Sequence, residues 1–150
     1  MKTTATIRNV FKLLLFPQFM IKYKSEAMKP SLKGLITCGS RCGYEGKKEF
    51  TLEETLSILE EANETIIDSG YQPIPCIVRE GMLVGRTTDN CYREGVFMME
   101  FSWSPRASEI ASDRFYETLL TYANILGCEM QQERVYIEFN NMTEVLKKVE

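Results

Sequence analysis

The chain of 150 residues contains no histidine. That removes every mechanism needing an imidazole base or an imidazole metal ligand. Low-complexity stretches and internal repeats are also missing. With 44% apolar and 26% charged residues, the composition is that of a soluble globular chain. Collagen, a coiled-coil rod and wholesale disorder are therefore excluded. No apolar run is long enough to span a bilayer: Val10 to Ile21 is broken by Lys12, Pro17 and Gln18. The length suits one domain with a real core, plus at most an arm.

Cysteine is present but not in a metal pattern. The five residues Cys38, Cys42, Cys76, Cys91 and Cys128 form no CxxC motif. Without histidine, a zinc site would need four of these thiolates, and only Cys38 and Cys42 are close. No metal and no cofactor are expected. Reduced, mostly buried thiols in a cytoplasmic protein are expected instead. Arg41 beside Cys38 and Cys42 could lower a thiol pKa, but a nucleophilic cysteine has no histidine base here.

Positive charge is scarce in the body and concentrated at one end. Residues 1–30 carry six basic residues (Lys2, Arg8, Lys12, Lys22, Lys24, Lys29) against Glu26 alone. The remaining 120 residues carry twelve basic and twenty acidic residues. An acidic body is a poor match for nucleic-acid phosphate. Residues 1–30 read as a basic apolar arm, either a helix, a docking segment or a processed leader. Ile7, Val10, Phe11, Leu14 and Leu15 follow helical spacing. Ser25-Glu26-Ala27 offers a cleavage site, so export or organelle import after loss of residues 1–27 is the alternative to the cytoplasm. Met20 and Met28 are alternative starts.

Residues 31–150 read as a single α+β domain. A strand is expected over Leu32–Cys38, then a loop over Gly39–Lys48. Thr51 and Glu54 form a capping box opening a helix that ends at Asp68, before Ser69-Gly70. Tyr71–Arg79 reads as extended, Glu80-Gly81 as a turn, and Met82–Thr87 as a segment pairing back. Thr88–Gly95 reads as a polar loop. Phe97, Met99, Phe101 and Trp103 alternate along the clearest strand. A second helix is expected over about Ser108–Leu126, a last strand over Gln132–Asn140, and a closing helical turn within 142–150. The order is βαββαβ, a ferredoxin-like sandwich with two helices on one face of an antiparallel sheet. The other face, with Met98, Glu100, Tyr136 and Glu138, is left for solvent or self-association. A dimer or larger homo-oligomer is expected.

The loop GSRCGYEGKK is the leading candidate site. Gly39, Gly43 and Gly46 allow close backbone approach, Ser40 adds a hydroxyl, Arg41 and Lys47 add positive charge, and Tyr44 adds a ring. It lacks the P-loop pattern, because Lys48 follows Gly46-Lys47. Arg79, Arg86 and Arg93, spaced by seven, are candidate anion clamps. The layout is also similar to that of the small tautomerases, whose mature chains begin with proline. Pro30 precedes the first strand but is internal, so the resemblance covers topology only and carries over no residue.

The leading expectation is a non-enzymatic oligomeric module that binds a small anionic ligand, such as a nucleotide, or a protein partner. One alternative is a structural or inhibitory interaction protein, viral or mobile-element encoded, docking through its arm. The other is a small tautomerase- or lyase-like enzyme.

Overall fold

Alternation in residues 96–102 sets the middle of the molecule. In the computed structural model, which describes residues 22–26, 28–43, 46–104 and 106–150, this segment belongs to strand β3, Cys91–Ser102. The other strands are β1 (Lys33–Gly39), β2 (Cys76–Arg86), β4 (Arg134–Phe139) and β5 (Met142–Lys147). Two helices, α1 (Leu52–Asp68) and α2 (Ser112–Glu129), complete the α+β fold. The five strands form one sheet in the order β2-β3-β1-β4-β5, and every neighbouring pair is antiparallel.

Register decides which side chains share a face. Ile36 pairs with Met99 on one side and Ile137 on the other. With Cys38, Phe97, Phe101 and Val135 they make one buried face. Both helices pack there: Leu59, Ala62 and Ile66 from α1 and Phe115, Leu119, Tyr122 and Leu126 from α2 join the same cluster. Burying each large apolar side chain contributes about 1.5–3 kcal/mol. The Tyr122 hydroxyl lies inside this layer but is satisfied. It donates to Asn63 Oδ1 at 2.6 Å and accepts from the Ile74 N–H at 3.1 Å.

The ends of α1 follow from local chemistry. Thr51 Oγ1 accepts from the Glu54 N–H at 3.1 Å, and Glu54 Oε1 accepts from the Thr51 N–H at 3.4 Å. Gly70, at φ +80°, carries the chain away from the last turn. Ile67, in the last turn, is exposed.

Five expectations need correction. Glu80-Gly81 is not a turn, because β2 runs unbroken from Cys76 to Arg86. A methyl on Gly81 would lie 2.8 Å from Met98 Cε, so this glycine makes room for a neighbouring side chain. The actual turn is at residues 87–90, closed by the Thr87 N–H to Asn90 carbonyl bond of 2.7 Å. Consequently β3 begins at Cys91, inside the segment expected to be a loop. The closing helical turn is instead strand β5. Asn140 and Asn141 have φ of 51° and 61°, the left-handed pair of a two-residue hairpin turn. The second helix starts later than expected, at Ser112, after Ala111 with no side-chain cap. Nor are the thiols mostly buried: Cys38 is, Cys42 and Cys76 are half-buried, and Cys91 and Cys128 are exposed.

Residues 1–21, most of the expected arm, lie outside the described residues. No helix among the described residues is long and apolar enough to cross a membrane.

Candidate functional site

The sheet face turned away from the helices carries a depression lined by residues of β1, β3, β4 and the glycine-rich loop. Its floor follows from register: Thr37 pairs with Met98 and Tyr136, and Leu35 with Glu100 and Glu138. The cavity measures about 460 Å³, within the size range of small-molecule sites. Leu35, Val96, Met98 and the Tyr136 ring give it apolar walls. Among the described residues lining it, Glu94, Glu133 and Glu138 are acidic and Arg134 is basic.

Glu94 is the distinctive group. It is half-buried, and among the described residues no hydrogen bond or ion pair engages its carboxylate. It sits over Gly39: a methyl there would lie 2.8 Å from Glu94 Oε1 and 3.0 Å from Gln132 Oε1. Gln132 is buried and holds the end of the cavity together. Its side-chain oxygen accepts from the Gly39 N–H at 2.9 Å. Its amide donates to the Arg41 carbonyl at 2.5 Å and the Met130 carbonyl at 3.0 Å.

The glycine-rich loop is thereby pinned from one side, and it closes on itself from the other. The Cys42 N–H donates to the Lys48 carbonyl at 3.0 Å, and Phe50 N–H to Ser40 at 2.7 Å. Ser40 Oγ donates to Glu49 Oε1 at 3.1 Å. Gly39 and Gly43 line the sheet-face depression, whereas Ser40 lines a separate shallow cleft toward Phe50. Arg41 and Lys47 are exposed, Gly46 is half-buried, and Tyr44 lies outside the described residues. The loop does not deliver an open helix N-terminus. The first turn of α1 faces its own Glu54, which Lys48 joins at 3.0 Å. The Lys48 contact and the Thr51 hydrogen bond hold the Glu54 carboxyl below its ordinary pKa.

The arginine row does not converge. Arg79 lies on the bare sheet face, 3.7 Å from Glu100. Arg86 and Arg93 lie on the opposite face of the β2–β3 ribbon and are exposed. Seven strand residues separate Arg79 from Arg86, a distance of roughly 23 Å. Cys38 is no nucleophile: its thiol is buried against Met130 Sδ at 3.7 Å, and burial pushes its pKa up to about 12.

Glu94, Tyr136 and Gln132 were not among the candidate residues from sequence. Glu94 falls within the segment expected to be a polar loop. The signal was nonetheless available: the alternation of 96–102, extended backward by one step, puts Glu94 on the face of Val96 and Met98.

No protein-family profile and no curated protein matches the chain. The fold, however, is similar to solved structures of a phage SAM lyase. One, in complex with S-methyl-5′-thioadenosine, superposes with a TM-score of 0.57 over 85% of this chain and 97% of the other, at 10% identity. The enzyme without ligand gives 0.57 over 84% and 97%, at 12% identity. The likeness is one of fold. It overturns the leading expectation of a non-enzymatic anion-binding module: both neighbours are enzymes, and the cavity here is rimmed mainly by carboxylates rather than cations.

Proposed function

We propose that this protein is a small lyase that binds SAM in the depression on the bare sheet face and releases S-methyl-5′-thioadenosine. The fold likeness supports the reaction class, and the second alternative from sequence, a lyase-like enzyme, is the one retained. The observation that carries the reading is Glu94, a half-buried carboxylate between apolar walls with no partner among the described residues. At neutral pH, SAM carries a sulfonium and an ammonium against one carboxylate, so it is a net cation. An acid-rimmed cavity favours it over an anion. The Tyr136 ring offers a face for the adenine or for the sulfonium. Gly39 and Gly43, from the glycine-rich loop, provide close backbone approach at one end.

The chemistry suits these walls. Release of S-methyl-5′-thioadenosine breaks the bond between sulfur and the amino-acid side chain. Sulfur keeps the bonding pair and becomes a neutral thioether. The departing fragment regains a pair in one of two ways: its own carboxylate oxygen bonds to the carbon that sulfur leaves and closes a lactone, or the adjacent C–H bond gives its pair to a new C=C bond and its proton to solvent. Positive charge vanishes from sulfur along the way, so Leu35, Val96 and Met98 favour the change by offering it little solvation. Glu94 then serves binding and orientation more than bond breaking.

The strand order, with β1 and β3 central and β2 and β4 flanking, supports a ferredoxin-like sandwich extended by β5. Ile77, Leu83, Tyr92 and Val145 stand exposed on the same bare face, and a second copy covering them fits the expected homo-oligomer. Unpaired thiols, two of them exposed, suit a reducing compartment such as the cytoplasm.

The test is incubation with SAM and mass-spectrometric detection of S-methyl-5′-thioadenosine. Formation well above the spontaneous rate is expected. Glu94→Gln should weaken SAM about ten-fold, or about 1.4 kcal/mol, and change affinity for the neutral product less than two-fold. A folded protein that yields no product above background defeats the proposal.

A further inference from the structure

The helix layer stops short of one sheet edge. The helices pack over the middle of the sheet, and on the helix-side face of β5 only Leu146 packs against the core, whereas Met142 is 72% exposed and Glu144 is exposed. A groove of about 710 Å³ runs there between the first turn of α2 and the β4–β5 hairpin. Its walls are largely apolar, with Tyr116, Ile137, Phe139 and Met142, and its two acids are Asp113 and Glu144. The Tyr116 and Phe139 rings stack at 5.5 Å and make its base firm.

We propose that this groove holds residues 1–21 of the same chain. Three observations select that occupant. The first is position. The described chain reaches β1 at the sheet end that carries the Asn140-Asn141 turn, since Lys33, Asn140 and Met142 line one depression there. Glu26 lies 3.6 Å from Arg106, in the segment that leads from β3 to the first turn of α2 at the same end. The second is reach. The 21 residues before Lys22 span up to about 69 Å when extended, longer than either strand of the β4–β5 hairpin that walls the groove. The third is complementarity. Ile7, Val10, Phe11, Leu14 and Leu15 share helical spacing, and residues 1–21 contain Lys2, Arg8 and Lys12 with no acid. An apolar stripe flanked by cations fits an apolar groove flanked by Asp113 and Glu144. This docking lies on the other side of the sheet from the SAM cavity and stands independently of it.

Hydrogen exchange read by mass spectrometry tests it on the full chain, after intact mass confirms that residues 1–21 are present. Phe11→Asp with Leu14→Asp should speed exchange across 112–116 and 137–144 by ten-fold or more. Met142→Glu, at an exposed position, should do the same. Helix α1 should exchange as before in both. Unchanged exchange in the arm variant overturns the proposal. So does protection of the groove that grows with protein concentration, because that places the arm on a second copy.

Discussion

Gln132→Met is the most informative single substitution for the architecture of the cavity. It keeps roughly the volume of a buried side chain while removing its polar atoms. Gln132 joins three backbone groups from separate segments: Gly39 in β1, Arg41 in the glycine-rich loop, and Met130 after α2. Each such bond contributes about 1 kcal/mol net, and leaving the part-buried Gly39 N–H unpaired adds to the loss. The expected destabilisation is therefore about 2–4 kcal/mol. For a chain of this size that lowers the midpoint of thermal unfolding by roughly 5–15 °C. Urea unfolding followed by circular dichroism measures the free energy. Hydrogen exchange should speed selectively at residues 39–43 and 46–49, the described part of the loop. A shift below about 0.5 kcal/mol, with the loop exchanging as before, would refute the view that Gln132 anchors this end of the site.

Stability should also fall at alkaline pH. Burial raises Cys38 to about 12 and Cys76 to about 11, above the ordinary thiol value. Unfolded, both thiols ionise near pH 9, whereas the folded protein keeps them protonated. Their contribution is complete below that pH and is lost as pH rises toward the folded values, by up to about 1.4 kcal/mol per pH unit for each thiol. Unfolding free energies at pH 8 and 10.5 check this, and Cys38→Ala should flatten the slope. Tyr122→Phe removes a hydroxyl that bridges Asn63 and Ile74 and should cost about 1–3 kcal/mol in the same assay. A thiol reagent should modify Cys91 and Cys128 in the native protein but reach Cys38 only on unfolding; rapid native labelling of Cys38 would contradict its burial.

Much of the fold is legible where local and tertiary signals agree. Both ends of α1 can be read from Thr51–Glu54 and Ser69-Gly70, because capping is a contact between near neighbours. The buried face of β3 can be read from Phe97, Met99 and Phe101, because alternation and burial coincide. The signal fails where a residue type serves two purposes. Gly81 resembles a turn residue, yet its lack of a side chain accommodates Met98 across the sheet. Asn140-Asn141 lacks the glycine usual in tight hairpins, so the strand after it is obscured. The site is hidden for a further reason. The cationic loop draws attention by composition, but its charges are exposed or paired, as Lys48 is with Glu54. Glu94 matters because of what surrounds it, and strand pairing alone brings Leu35, Met98 and Tyr136 together from three distant segments.

A crystal structure of the protein soaked with S-methyl-5′-thioadenosine reaches the heart of the matter. The nucleoside is expected on the bare sheet face, its ring system against Tyr136 and its thioether sulfur within contact of Glu94. Ligand bound among the helices, or an empty sheet face at saturating concentration, would contradict this placement.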